Sequence, residues 1–342
     1  MRRKRITLSD FFFDRVILSR RRRIPAFVQR PNVCALRQQG HRPTPLAALL
    51  TLLIVALTSC APPRSSRVVV GAKNFTEQVV LGELLAQEIE SVTGHRVDRR
   101  FYLAGSYICH QALISGRIDT YVEYTGTALT AILKQPLPPP GQRDPQRVFA
   151  EVSRLYAQNY GIRVEPSLGF EDTFAMVIPQ LLAKDLHLAT ISDAAQRGPD
   201  PGNTWRLGVG YEFESRPDGL PGLQSTYRLK LDGDPRTMDL GLLYRALASR
   251  QVDMVAGNST DGPIRALGLK VLADDKHYFP PYEAVPLVRD ESLRRWPGIQ
   301  TAMDRLAGKV STEEVQAMND AVDRQHRDVT EVVREFRAGK GL

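Results

Sequence analysis

The chain has 342 residues, with 46 Lys and Arg against 38 Asp and Glu and a formal net charge of +8. Residues 1–60 hold 12 of the basic residues and two acids, Asp10 and Asp14, which leaves 34 basic against 36 acidic residues downstream and removes net charge as an argument for nucleic-acid binding. A hydrophobic share of 42% and a charged share of 25% exclude wholesale disorder, and three cysteines (Cys34, Cys60, Cys109) without a CxxC pair exclude a disulfide-rich scaffold, a zinc knuckle and a redox dithiol.

The first element is an apolar run, Leu46 to Leu57, too short for a membrane span of roughly 20 residues. It follows Arg37 and Arg42 and ends in Leu57-Thr58-Ser59-Cys60, which resembles a bacterial lipobox with Cys60 as the lipidated residue. The alternative is a buried core segment with an incidental cysteine. Residues 1–59 then form the leader and 60–67 a polar tether. The leader is long for its class, and the Arg20–Arg23 run has poor context for a twin-arginine signal. Val33 and Leu36 are alternative starts, an idea that an expressed peptide from residues 1–32 would exclude.

Val68–Ala72 is a β-branched run ending near Gly71 and predicts a buried strand. Asn74 or Thr76 is expected to cap the helix whose apolar face carries Val79, Leu81, Leu84, Leu85 and Ile89. Gly94 ends it and 97–103 reads as the next strand, a β-α-β start that implies a parallel sheet. A helix over 106–115, a strand over 118–124, a Pro-rich loop at 136–145 and a helix over 148–160 follow. Strands are expected at 174–178, 207–211 and 252–256, with helices beginning near Ser192-Asp193 and at Leu240. Helices near 301–307, 312–323 and 329–338 close the chain.

One internal echo stands out. Ala112-Leu113-x-Ser115-x-x-Ile118-Asp119, continuing to Tyr124-Thr125-Gly126, recurs 134 positions later as Ala246-Leu247-x-Ser249-x-x-Val252-Asp253, continuing to Asn258-Ser259-Thr260. Both copies read helix, tight turn, strand, polar loop. Two similar α/β lobes follow, with Tyr124 and Asn258 facing a shared cleft, because open α/β sheets bind ligands at the carboxyl ends of their strands.

No GxSxG, HExxH, GxGxxG or Walker A pattern is present. Cys109 and His110 are adjacent and do not face each other on a helix, so one buried and one half-exposed residue is expected rather than a nucleophile–base pair. Asp274-Asp275-Lys276-His277 reads as a polar turn rather than a metal site. What remains is a set of loop residues after strands: Lys73, Asn74, Tyr124–Thr127, Asp172–Phe174, Ser215–Asp218, Asn258–Asp261 and Pro280–Glu283. Aromatic faces attract quaternary ammonium groups, and Lys73 and Arg216 are suited to a carboxylate. Any single ring is as well explained by packing; the joint placement points to a cage for a zwitterion.

At these motifs the sequence resembles the substrate-binding proteins of osmoprotectant ABC transporters, the glycine betaine, choline and carnitine group. The blocks that carry the resemblance include 71–78 (GAKNFTEQ), 119–127 (DTYVEYTGT), 213–221 (FESRPDGLP) and 274–282 (DDKHYFPPY). The resemblance implies an α/β, two-lobed periplasmic-binding-protein fold of type II, with two hinge crossings and the ligand between the lobes. The first lobe is expected over 68–170 plus 280–342 and the second over 171–279. It implies cage rings at Tyr124, Phe174 and Tyr282, with the fourth cage position falling on Asn258, a departure from the family's aromatic. Carboxylate contacts map to Lys73, Thr127 and Arg216, and Gln78 is a weaker ligand contact. The implied role is a lipid-anchored, non-catalytic, monomeric protein of the cell envelope, without cofactor or metal, that delivers glycine betaine, choline or a similar solute to an ABC permease and its ATPase. Carnitine, ergothioneine or another larger betaine is the rival ligand. An enzyme or a sensor on the same scaffold is the alternative from another class.

Overall fold

The computed structural model describes residues 66–139 and 143–342. The leader, Cys60, the tether up to residue 65 and residues 140–142 of the Pro-rich loop lie outside the described residues, so the lipidation and start-site expectations are not addressed by it.

β1 (Val69–Gly71) is buried along its length, as a short β-branched strand covered on both faces requires. It is followed by the helix Thr76–Thr93, β2 (Asp98–Arg100), the helix Ser106–Ile114 and β3 (Thr120–Tyr124). The helix Pro145–Tyr160 begins with Asp144 accepting from the Gln146 N–H and leads to β4 (Ile162–Val164). The chain then crosses to a second sheet made of β5 (Phe174–Pro179), β6 (Leu207–Val209), β7 (Arg236–Thr237), β8 (Met254–Asn258) and β9 (Leu269–Val271). It returns through β10 (Ala284–Arg289). A single antiparallel bridge between Glu171 and Glu283 joins the outgoing and returning segments.

The sheet orders are β2-β1-β3-β10-β4 and β7-β6-β8-β5-β9. They are the same pattern: three parallel strands, then two reached through antiparallel pairing. In each sheet the first antiparallel strand, β10 or β5, directly follows a crossing. In the first sheet the expectation of a parallel sheet therefore holds for β1, β2 and β3 only. β10 was not foreseen because Pro286 interrupts its apolar run, and proline ordinarily argues against an interior strand.

The sequence echo is structural. The helices Ser106–Ile114 and Leu240–Ala248 are 134 residues apart at both ends, and so are β3 and β8. The turns match bond for bond. Arg117 N–H donates to the Ala112 carbonyl at 2.8 Å, and Gln251 N–H to the Ala246 carbonyl at 2.9 Å. Asp119 and Asp253 each accept from a backbone N–H of the neighbouring strand's start, Val69 at 2.8 Å and Arg206 at 3.2 Å.

The Thr76–Thr93 helix corrects two expectations. Its N-cap is Phe75, with no side-chain cap bond, so neither Asn74 nor Thr76 caps it. The Thr76 hydroxyl is instead bound to Asp323, 247 positions away. Burial is continuous from Glu77 to Ile89 rather than confined to one face. Leu81, Leu84, Leu85 and Ile89 are fully buried, each contributing about 1.5–3 kcal/mol. The buried acids on the other faces are paired, Glu83 with Arg99 at 2.6 Å and Glu88 with Arg337 at 2.7 Å. The helix near 192 also begins earlier than expected, at Thr190, whose hydroxyl forms a capping box with Asp193.

Candidate ligand-binding site

A cavity of about 250 Å³ opens where the two sets of strand ends meet. Lys73 reaches it from just beyond β1, Tyr124 from the last position of β3, Phe174 from the first of β5 and Asn258 from the last of β8. Thr127 lies on the turn after β3, and Tyr282 on the returning crossing before β10. Arg216 follows the short helix Tyr211–Ser215 that leaves β6. Seven of the expected contacts thus share one cavity. Gln78 does not line it. Its Nε2 donates to the Tyr124 hydroxyl at 3.1 Å, so it orients a wall rather than forming one.

The rings make a continuous apolar wall. Phe174 meets Tyr282 edge-on with centroids 5.7 Å apart, and Phe213 edge-on at 4.9 Å. Such pairs contribute about 0.5–1.5 kcal/mol beyond the area they bury. The second sheet ends on an amide where the first ends on a ring, yet Phe75, Tyr211 and Phe213 line the same cavity. The close approach of the turn after β3 demands glycine: a Cβ on Gly126 would lie 2.7 Å from the Tyr282 ring and from the Pro281 carbonyl.

The cations already face these rings. Lys73 Nζ lies 4.8 Å from the Tyr124 centroid, and the Arg216 guanidinium carbon 4.9 Å from that of Phe174 and 6.0 Å from that of Tyr282. Both are also ion-paired. Lys73 binds Glu123, whose carboxylate accepts the Tyr124 N–H as well, at 2.8 Å. Arg216 forks onto Asp218 through Nε at 2.9 Å and Nη2 at 2.5 Å. Burial works against the Arg216 charge, but Asp218 outweighs it and raises the pKa. Burial likewise pushes the Asp218 carboxyl up, and Arg216 overrides it and holds that carboxyl below its usual range. The Tyr282 hydroxyl completes the group by donating to Asp218 at 2.6 Å.

Glu212 was not singled out from the sequence. Its carboxylate spans the cleft: Oε1 accepts the Ser106 N–H at 2.6 Å, and Oε2 lies 3.2 Å from the Ser106 hydroxyl and 3.3 Å from Arg216 Nη1. Burial raises its carboxyl, but Lys73, Arg216 and the Ser106 bonds outweigh that and keep it low. A charged residue from the second lobe thereby caps a helix of the first.

Behind Tyr124 the charge is of the opposite kind. The Tyr124 hydroxyl donates to Glu77 Oε1 at 2.5 Å, and Asn319 Nδ2 donates to Glu77 Oε2 at 3.2 Å. Burial pushes Glu77 up to about 7, against the hydrogen bonds from Thr260, Tyr124 and Asn319. Burial raises Asp261 to about 6.

Two motifs from the sequence resolve outside the cavity. Cys109 and His110 are both buried, which corrects the half-exposed expectation for one of them, and burial pushes the thiol up to about 12. His110 packs edge-on against Tyr156 and Tyr160. Asp274 organises a turn by accepting from Tyr227 Oη at 2.5 Å and from the N–H groups of Tyr278 and Phe279 at 2.9 and 2.8 Å.

Residues 66–339 match the family model described as the substrate binding domain of ABC-type glycine betaine transport systems. The chain belongs to that family. Within it, a carnitine transport binding protein of Listeria monocytogenes is 32% identical over 305 residues, covering 84% of this chain and 94% of the relative. A glycine-betaine-binding protein of Pseudomonas aeruginosa is 32% identical over 295 residues, covering 84% and 92%. The crystal structure of a glycine betaine/carnitine/choline ABC transporter protein superposes with a TM-score of 0.67 at 33% identity, covering 80% of this chain and 98% of that one. The fold is the two-lobed, type II periplasmic-binding-protein fold, and the paired sheet orders and two crossings are its framework in this member of the family. No helix among the described residues is long and apolar enough to cross a membrane.

Proposed function

We propose that this protein captures a quaternary-ammonium solute, glycine betaine or choline first, and hands it to an ABC permease and its ATPase. The observation that carries the reading is the convergence of Tyr124, Phe174 and Tyr282 with Lys73, Thr127 and Arg216 on one cavity between the lobes. The rings receive the methylated ammonium, and the cations and the Thr127 hydroxyl receive a carboxylate when the ligand has one. Lys73 and Arg216 hold internal counter-ions, so a ligand carboxylate joins existing pairs. The lobes, 68–170 with 280–342 and 171–279, close over the ligand, and closure shifts the population toward the form the permease engages. The protein acts by binding rather than turnover, as a monomer held to the outside of a membrane by lipid on Cys60.

The test is calorimetric titration of the purified full-length protein with glycine betaine, choline, carnitine and ergothioneine. Binding of glycine betaine or choline at micromolar or lower Kd is expected, and no binding of any of the four by folded protein overturns the proposal.

A larger betaine is the second reading, and Asn258 favours it. Its backbone N–H donates to Asp261 at 2.8 Å, while its side-chain amide lines the cavity and makes no hydrogen bond among the described residues. Asn258→Tyr restores a ring. Glycine betaine should then bind more tightly, by about fivefold or 1 kcal/mol, while a ligand with a polar extension binds more weakly. Unchanged affinity for both excludes a ligand contact by Asn258.

A further inference from the structure

Three acids line the cavity: Asp172, Glu212 and Asp239. Two of them have fixed employment. Glu212 holds Ser106 and Arg216, and Asp239 caps its own helix by accepting the Gly241 N–H at 3.0 Å. Asp172 differs. It is 6% exposed, and the hydrogen bonds to its side chain all arrive at Oδ1, from the Thr260 hydroxyl at 2.7 Å, the Thr260 N–H at 3.3 Å and the Ser259 hydroxyl at 3.4 Å. Every one of these donors is neutral. No hydrogen bond reaches the second oxygen, Oδ2, among the described residues, and Asp172 lines the cavity.

The charges around Asp172 are mostly of its own sign. Glu77 faces it from the Thr76–Thr93 helix and Asp261 from the turn after β8. Behind them stand Tyr124 on β3, Tyr244 on the Leu240–Ala248 helix, whose hydroxyl donates to Asp261 at 2.7 Å, and Asn319 and Asp323 on the helix Thr312–Asp323. Across the cavity, Lys73 and Arg216 are engaged with Glu123 and with Asp218 and Glu212. Carboxyls gathered out of water without a cation hold protons, and burial together with Glu77 and Asp261 raises Asp172 well above the usual carboxylate range.

Resting on the quaternary-ammonium reading, we propose that Asp172 Oδ2 is the anionic contact for the ligand's cationic head, and that capture expels a proton held among Asp172, Glu77 and Asp261. The exchange balances: one fixed positive charge enters the cavity and one proton leaves the cluster for solvent. The proposal also assigns the side of the cage that lacks a fourth ring. Phe174 lies two residues from Asp172 and pairs with Asn258 in register, so the carboxylate and the amide stand together where an aromatic face is missing. Affinity for the cation then follows the ionised cluster. It is greatest above the cluster's own titration and falls as the pH drops through it.

The test is calorimetry on the full-length protein with choline and glycine betaine at pH 5 to 8, in buffers of low and high ionisation enthalpy. The expected result is an uptake by buffer of about half a proton or more per ligand near pH 6–7, and a Kd that weakens at least about tenfold from pH 8 to pH 5. Asp172→Asn should lose about tenfold or more in affinity at pH 8 and flatten the pH profile. Wild-type binding with no proton release overturns the proposal without using any variant, and so does an Asp172→Asn protein that keeps both the affinity and the pH slope. Either result leaves the quaternary-ammonium reading standing, whereas failure of wild type to bind both ligands removes that reading and this one together.

Discussion

The helix Ser106–Ile114 and the helix Leu240–Ala248 occupy equivalent places in the two lobes, 134 residues apart, but they begin differently. The second is capped by its own Asp239. The first has Gly105 at the equivalent position and no side-chain cap of its own. Its first N–H, that of Ser106, is served by Glu212, which belongs to the other lobe. The same supersecondary unit is self-sufficient in one lobe and dependent on its neighbour in the other. The strand ends show a parallel contrast: β3 ends on a ring held by Glu77 and Gln78, and β8 ends on an amide whose side chain is free to meet a ligand. Both lobes supply rings and a cation to the cavity, but Arg216 and Glu212 come from the second, and Glu212 reaches across to Ser106 of the first.

The most damaging way to break this arrangement is to remove the cation that holds the two cleft-spanning carboxylates, Asp218 and Glu212. Arg216→Ala leaves Asp218 buried without its cation and frees Glu212 from one partner. A stability loss of about 3–5 kcal/mol is expected, read by denaturant unfolding, together with loss of measurable ligand binding. If the melting profile and Kd are unchanged, Arg216 is not what holds Asp218 and Glu212 in place at the cleft.

The acids behind the Tyr124 ring give the next largest effect. Glu77 titrates at about 7 when folded and near 4.5 when unfolded, so its neutral form favours the fold. That stability is fully present below pH 4.5 and is lost as the pH rises through 7. It amounts to roughly 3 kcal/mol at most, before the contributions of the same sign from Asp172 and Asp261. Ligand-free protein should therefore lose stability between pH 5 and pH 8, and Glu77→Gln should flatten that slope. An unaltered slope in the variant places the linkage elsewhere.

A subtler change makes the two helices alike. Gly105→Asp gives the first helix a cap of the kind the second already has, while its Cβ enters the space of the Glu212 carboxylate and its charge repels it. The first lobe should gain or keep its stability, and ligand affinity should fall by about tenfold as the clasp across the cleft fails. Affinity equal to wild type would show that Glu212 contributes nothing to closure.

The contrast also explains what the sequence disclosed. The repeat was legible because the same residue types do the same backbone work in both copies: Ala112 and Ala246 accept local turn N–H groups, and Asp119 and Asp253 each accept an N–H at the start of the neighbouring strand. Tyr124, Phe174, Tyr282, Lys73 and Arg216 were legible as polar and aromatic residues near strand boundaries and through the motifs of the family resemblance, although Tyr124 ends β3, Phe174 begins β5 and Tyr282 precedes β10. The cap expected from Asn74 or Thr76 failed because Asp323 competes for the Thr76 hydroxyl from a helix far along the chain. Glu212 escaped notice because its partner Ser106 lies 106 positions away. Asp172 was visible as a loop residue, but its isolation from any cation is a property of three segments packed together. Strand β10 was hidden by Pro286, whose place is secured by neighbours on both sides.

The central claim is that the shared cavity selects a methylated ammonium through ring faces rather than an ammonium that donates hydrogen bonds. The most direct measurement is a pair of calorimetric titrations at pH 8, glycine betaine against glycine, which differ only in the three methyl groups on nitrogen. Selection by ring faces predicts that glycine betaine binds at least about a hundredfold more tightly, because three rings lose most of their attraction for a hydrated primary ammonium. Equal affinities, or tighter binding of glycine, would contradict it.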